Sequence, residues 1–163
     1  MNPKLDQILL LGNPRLYEMS RPIVGEELPN VKVIIKELHD ILMAFREHYD
    51  AGRAIAAPQI GVMKRFIYMH IDEPVALINP IIFDRSEAMM EVWDDCMCFP
   101  HLEVRVPRHK SCKIRFRDPY WQEHVWNLEG DLSELLQHEA DHVDGILATQ
   151  RAIDERAFRW KKR

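Results

Sequence analysis

The sequence predicts an α+β fold, with mixed or antiparallel strands packed around a C-terminal helix and an amphipathic helix near the N-terminus. Three observations carry this. One helical spacing of apolar residues opens at Asn30 and a second at Asp131. Between them lie short apolar runs broken by proline and turn residues. The length, 163 residues, fits one domain over 1–163.

The elements follow in order. Ile8-Leu9-Leu10-Leu11 is a short apolar run closed by Gly12-Asn13-Pro14. From Asn30, the residues Val31, Ile34, Ile35, Leu38, Ile41, Leu42 and Phe45 recur at helical spacing. Lys32, Lys36, Glu37, Asp40 and Arg46 take the opposite face, and Asp50-Ala51-Gly52 ends the helix. Residues 66–69 and 75–78 read as strands bounded by Asp72-Glu73-Pro74 and Asn79-Pro80. Residues 89–99, 102–106 and 112–116 read likewise, split by Pro100, Pro107 and Asp118-Pro119. The last helix, over 131–147, turns Leu132, Leu135, Leu136, Ala140, Val143 and Ile146 inward.

Composition excludes several classes. Hydrophobic residues make up 47% and charged residues 29%, a soluble globular balance, and no apolar stretch suits a membrane span. A net charge of −4 argues against a broad nucleic-acid-binding surface. The basic stretches 105–113 and 159–163 read as solvated charged faces. Cys96, Cys98 and Cys112 cannot all pair within one chain, and no secretory signal is visible. A reducing cytoplasm is expected, or an organelle matrix for a processed chain.

The most informative segment is Gln137-His138-Glu139-Ala140-Asp141-His142. Histidines at i and i+4 share one helix face, so both imidazoles can bind one ion. Glu139, between them, is placed to take a proton from an attacking water. A catalytic site of this kind needs a third protein ligand and an open position. Cys96 and Cys98, on the same face of an extended strand with Met97 opposite, compete for that place with His101, His109 and His124.

Three segments together resemble the peptide deformylases, which remove the formyl group from N-terminal formyl-methionine. The family's Gly-x-Gly-Leu-Ala-Ala-Pro-Gln-x-Gly is matched by residues 52–61, its Glu-Gly-Cys-Leu-Ser loosely by 94–98, and its Gln-His-Glu-x-Asp-His-x-x-Gly by 137–145. The resemblance implies Cys96, His138 and His142 as ligands of one divalent metal, Fe2+ first, with Zn2+, Ni2+ or Co2+ able to take the same site. It implies Glu139 as general base and then acid, with Gln59 and the Met97 backbone N–H holding the oxyanion. Asp94 and Arg108 are implied as an ion pair bracing the cysteine loop. The implied partner is an N-formylated peptide or nascent chain, with the ribosome as a further candidate.

The departures shape the expectations for substrate binding at Ala54, Ile55, Asp95 and Asp131. Ala54 replaces a family glycine, and Asp95 replaces another that would be strained at positive φ. Cys98 stands for serine, and Glu103 stands where many members carry arginine. Asp131 is expected to cap the last helix with Glu134 as its partner, or else to polarise the methionine pocket. These substitutions keep open a deformylase-like protein that binds metal and peptide without useful turnover. A zinc peptidase is a third reading, which leaves Gln59 and Cys96 unexplained.

Overall fold

The structure, a computed structural model, describes residues 2–161. Helix α1 spans Leu28–Tyr49 and starts ahead of Asn30 because Pro29 suits a first turn, where its missing N–H costs nothing. Asp50, left-handed at φ 51°, closes it with an N–H donated to the Arg46 carbonyl. Val31, Leu38, Ile41, Leu42 and Phe45 bury one face.

The strands are β1 (Ala54–Ala56), β2 (Phe66–His70), β3 (Pro74–Phe83), β4 (Met89–Asp95), β5 (Leu102–His109), β6 (Ser111–Arg117), β7 (Glu123–Glu129) and β8 (Phe158–Trp160). Helix α2 spans Gly130–Val143. An antiparallel sheet runs β1-β2-β3-β6-β7, and a second runs β4-β5-β8. At β1 and β2 the first sheet is covered on both faces. Phe66 and Tyr68 of β2 join the core under α1, while Ile67 and Met69 join the core around α2. An apolar run without alternation is what a strand covered on both sides requires.

Several boundaries differ from the sequence expectation, each for a physical reason. Asn79-Pro80 does not end β3 but forms a bulge within it. Asn79 holds φ 52° while its side chain exchanges two 2.8 Å hydrogen bonds with the Ile23 backbone. Strand β4 stops at Asp95, so residues 96–99 form a turn, closed by Phe99 N–H on the Cys96 carbonyl at 3.0 Å. Strand β7 was not expected; its alternation of His124, Trp126 and Leu128 against exposed residues carries little apolar character. Helix α2 ends at Val143 rather than 147, because Gly145 turns the chain at φ 73°. A Cβ at Gly145 would sit 2.7 Å from the Tyr17 carbonyl oxygen, which explains the glycine closing the third motif.

Glu27 ties the start of α1 to the loop before β2: it accepts from Val24 N–H, pairs with Lys64, and lies 3.2 Å from Arg21. The Lys64 ammonium and the Val24 N–H hold its carboxyl at about 2, below the ordinary 4.5. A carboxyl lowered on folding stabilises the fold above its unfolded pKa and loses that contribution as pH falls through its folded value. The gap in melting temperature between the native chain and Glu27→Gln is therefore expected to be largest above pH 5. It should close steadily from about pH 4.5 toward pH 2, as thermal melts across that range would record. No helix among the described residues is long and apolar enough to cross a membrane.

Candidate active site

Helix α2 presents His138 and His142 one turn apart on a buried face. Their Nε2 atoms lie 3.1 Å apart, and Cys96 Sγ lies 3.3 Å from His142 Nε2. The three donor atoms all fall within 4.8 Å of one another. Ordinary tetrahedral bond lengths to zinc would separate two nitrogens by about 3.3 Å and a nitrogen from a sulfur by about 3.6 Å. The two spacings to His142 Nε2 are therefore close to those around a single shared ion. The turn after β4 brings Cys96 to this point, so the alternation of an extended strand does not govern the two thiols. Cys98 stays outside the convergent three, and its backbone N–H faces Cys96 Sγ at 3.4 Å.

Gln59 lies in the single helical turn Ala57–Ile60 after β1 and is buried. Its Oε1 accepts from Ala56 N–H at 2.7 Å, which fixes the amide orientation. Its Nε2 then points at the sulfurs of Cys96 and Cys98, 3.6 Å from each.

A buried chain of charges stands behind the histidines. Asp94 Oδ1 lies 2.9 Å from His138 Nδ1, close but off the N–H line, so the contact is an ion pair rather than an aligned hydrogen bond. Arg108 donates Nη2 to Asp94 at 2.7 Å and Nη1 to Asp141 at 2.6 Å. Arg151 grips Asp141 with two further bonds at 2.6 and 2.7 Å. Asp141 is thus held between two guanidiniums. Gln137 joins α2 to β5, exchanging hydrogen bonds with both backbone groups of His109.

These contacts set the ionisation. Burial pushes the Asp94 carboxyl up, but His138 and Arg108 outweigh it and hold it at about 2. Burial pulls His138 down, and facing Asp94 overrides this to raise it to about 9. Burial and the charge of His138 keep His142 well below the usual imidazole range, so it stays neutral. Burial lifts Glu139 to about 7 against the opposing pull of His138, near where a proton-transfer group works best. Burial and the adjoining Cys98 push the Cys96 thiol up, a state that a cation at the three donors would reverse.

A cavity of about 260 Å³ opens beside these groups. Its wall includes Ala54, Asp95, Met97 and Glu139, together with Phe45, Arg53, Glu134 and Leu135, which sequence reasoning had not assigned to a binding surface. Arg53 and Glu134 pair across it at 3.2 Å. A signal for this pair existed: an arginine inside the first motif and an acid one turn before His138 carry opposite charges toward one site.

Two expected substrate residues are placed elsewhere. Ile55 is fully buried in the core under α1, so its side chain cannot meet a ligand. Asp131 is exposed in the first turn of α2. Glu129 holds the N-cap position, no side chain caps it, and Glu134 is engaged by Arg53 instead. Asp131 therefore neither caps α2 nor lines the cavity. The expected strain at Asp95 is also absent, since its φ is not positive. Strand β8 and the residue after it answer two departures: Lys161 pairs with Asp95, and Arg159 bonds to Glu103 at 2.6 Å.

The model of the polypeptide deformylase family matches residues 5–157. This chain belongs to the peptide deformylase family. It is 33% identical over 147 residues to the peptide deformylase of Carboxydothermus hydrogenoformans, covering 90% of this chain and 92% of that one. Against that of Natranaerobius thermophilus it is 41% identical over 114 residues, covering 68% and 72%. The crystal structure of the Thermotoga maritima peptide deformylase superposes with a TM-score of 0.81 at 30% identity, over 90% of this chain and 97% of that one. As a deformylase the chain is a hydrolase acting on formyl-peptides, and membership sets aside the zinc peptidase reading.

Proposed function

We propose that this deformylase removes the formyl group of N-formyl-methionine peptides through Glu139, Gln59 and Met97, with Cys96, His138 and His142 holding one divalent metal. The convergence of two Nε2 atoms and one Sγ beside a buried carboxylate carries the reading. Ferrous iron is the metal that family resemblance favours, and the same donors also suit Zn2+, Ni2+ or Co2+. When bound, such an ion supplies Lewis-acid polarisation of the formyl oxygen and eases loss of a proton from the attacking water.

The chain's own groups do the rest. The Glu139 carboxylate accepts the proton of the water that attacks the formyl carbon. Gln59 Nε2, its direction fixed by Ala56, donates to the oxyanion that forms. Met97 lies in the cavity wall, and its N–H meets no protein acceptor among the described residues. It is the second donor, and one such donor is typically worth about 3–4 kcal/mol. Glu139 then returns its proton to the amine nitrogen, and formate and a free N-terminus leave. Asp94, gripped by Arg108, orients the His138 ring.

The substrate follows from the cavity. Strand β1 is an edge strand, so its open side can pair with an extended peptide backbone. The first side chain enters between Phe45, Ala54 and Leu135, with the Arg53–Glu134 pair at the wall. This reading places the chain in the cytoplasm or an organelle matrix, as one domain working on nascent chains at the ribosome.

Ferrous-loaded protein kept free of oxygen is expected to release formate from formyl-Met peptides. Glu139→Gln should lower kcat by about 10²–10⁴-fold, with metal content unchanged. Equal turnover by the two proteins, with metal verified in both, would remove Glu139 from the mechanism. Peptide binding with no formate release from the native chain would favour the binding-only alternative.

A further inference from the structure

We infer that a second cavity, on the far side of α2, binds a small oxyanion, a phosphate monoester or a short dicarboxylate. The cavity holds about 470 Å³, within the range of about 300–1,000 Å³ that small-molecule sites occupy. It shares no wall residue with the catalytic cavity. Four guanidiniums line it, from Arg65, Arg85, Arg108 and Arg151, against the two carboxylates of Asp141 and Asp144.

The hydrogen bonds show which charge is spare. Arg65 is engaged by Asp144 at 2.6 Å and Arg151 by Asp141. Arg108 is 2% exposed and held between Asp94 and Asp141, yet its buried Nε finds no partner. Arg85, at the rim, makes no ion pair among the described residues. An unanswered guanidinium such as that of Arg85 favours planar or tetrahedral oxyanions, which it binds with paired N–H donors.

One feature opposes an anion. The C-terminal end of α2 forms part of the wall and carries about half a negative charge. Arg65 covers that end by donating to the Val143 carbonyl at 3.3 Å, which offsets it and leaves Arg85 as the cation without an acid partner among the described residues. Ile82, Met89 and Ala140 supply an apolar wall, which leaves room for a short carbon body beside the charged group.

Calorimetric titration of the metal-loaded protein with inorganic phosphate, glycerol 3-phosphate and succinate, each alone, tests the assignment. At least one is expected to bind with a millimolar or tighter constant, and the preferred one separates the phosphate source from the carboxylate source. Arg85→Gln, an exposed position remote from the catalytic cavity, should weaken that binding at least tenfold. Arg151→Lys should weaken it less than Arg151→Gln. No binding of any of the three, or binding that Arg85→Gln leaves unchanged, overturns the inference; the latter points to capture by the catalytic cavity instead.

Discussion

Cys96→Ala is expected to lose the metal and all measurable formate release, while Cys98→Ser keeps both. The two thiols are two residues apart and both buried, so sequence distance and burial do not separate them. Geometry does. Cys96 Sγ stands 3.3 Å from His142 Nε2 and belongs to the convergent three, whereas Cys98 does not. Removing an outer partner of a metal ligand typically costs about 10–100-fold in affinity, and removing a ligand outright costs more. For Cys96→Ala a loss beyond about 100-fold is therefore the expectation. Cys98→Ser exchanges a thiol for a smaller acceptor that Gln59 Nε2 can still meet, so its metal content should stay within about twofold of the native value. Metal analysis after anaerobic reconstitution, with circular dichroism to verify folding, reads both. Metal kept by Cys96→Ala and lost by Cys98→Ser would reverse the assignment.

Much of this site was legible in the residues because its signals are local. An i, i+4 histidine pair with an acid between them defines a helix face before any fold is known. Strand β2, packed under α1, was legible for a related reason: the run 66–69 is apolar enough to demand burial. What stayed hidden depends on contacts far apart in the chain. Asn79-Pro80 reads as a strand end, and only its bonds to Ile23, 56 residues away, turn it into a bulge. Asp131 followed by Glu134 reads as a cap, but Arg53, in the bend just before β1, takes Glu134 away. The Arg53–Glu134 pair shows the same limit from the other side. Each residue alone looks like a surface charge, and only the fold sets them across one cavity. Asp95 and Glu103 likewise look like departures that threaten the site until β8 brings Arg159 and Lys161 against them.

Arg108→Met is expected to be the most destabilising single change at the site. The guanidinium is 3% exposed, as is Asp94, and among the described residues it is the one cation that touches both Asp94 and Asp141. Breaking a buried pair by removing one partner typically costs about 3–5 kcal/mol, because a charge is left buried without compensation. Asp94 would retain His138, and Asp141 would retain Arg151, so the lower half of that range is expected for stability. The metal should feel the change as well. Asp94 is now held in place by Arg108, and without that grip it keeps its contact with His138 but fixes the ring less tightly, so affinity should fall about 10–100-fold. Urea denaturation of the metal-free protein and competition with a chelator measure the two effects separately. Arg108→Lys supplies a folded comparison if the methionine variant does not accumulate: it keeps the charge but cannot reach both acids with a planar fork. The triple variant Asp94→Asn, Arg108→Met, Asp141→Asn removes the whole set of charges and should recover part of the stability while leaving the metal weakly held. Stability changed by less than 1 kcal/mol in Arg108→Met would show that the chain of charges does not brace this site. Recovery of metal affinity by the triple variant would show that Asp94 does not orient His138.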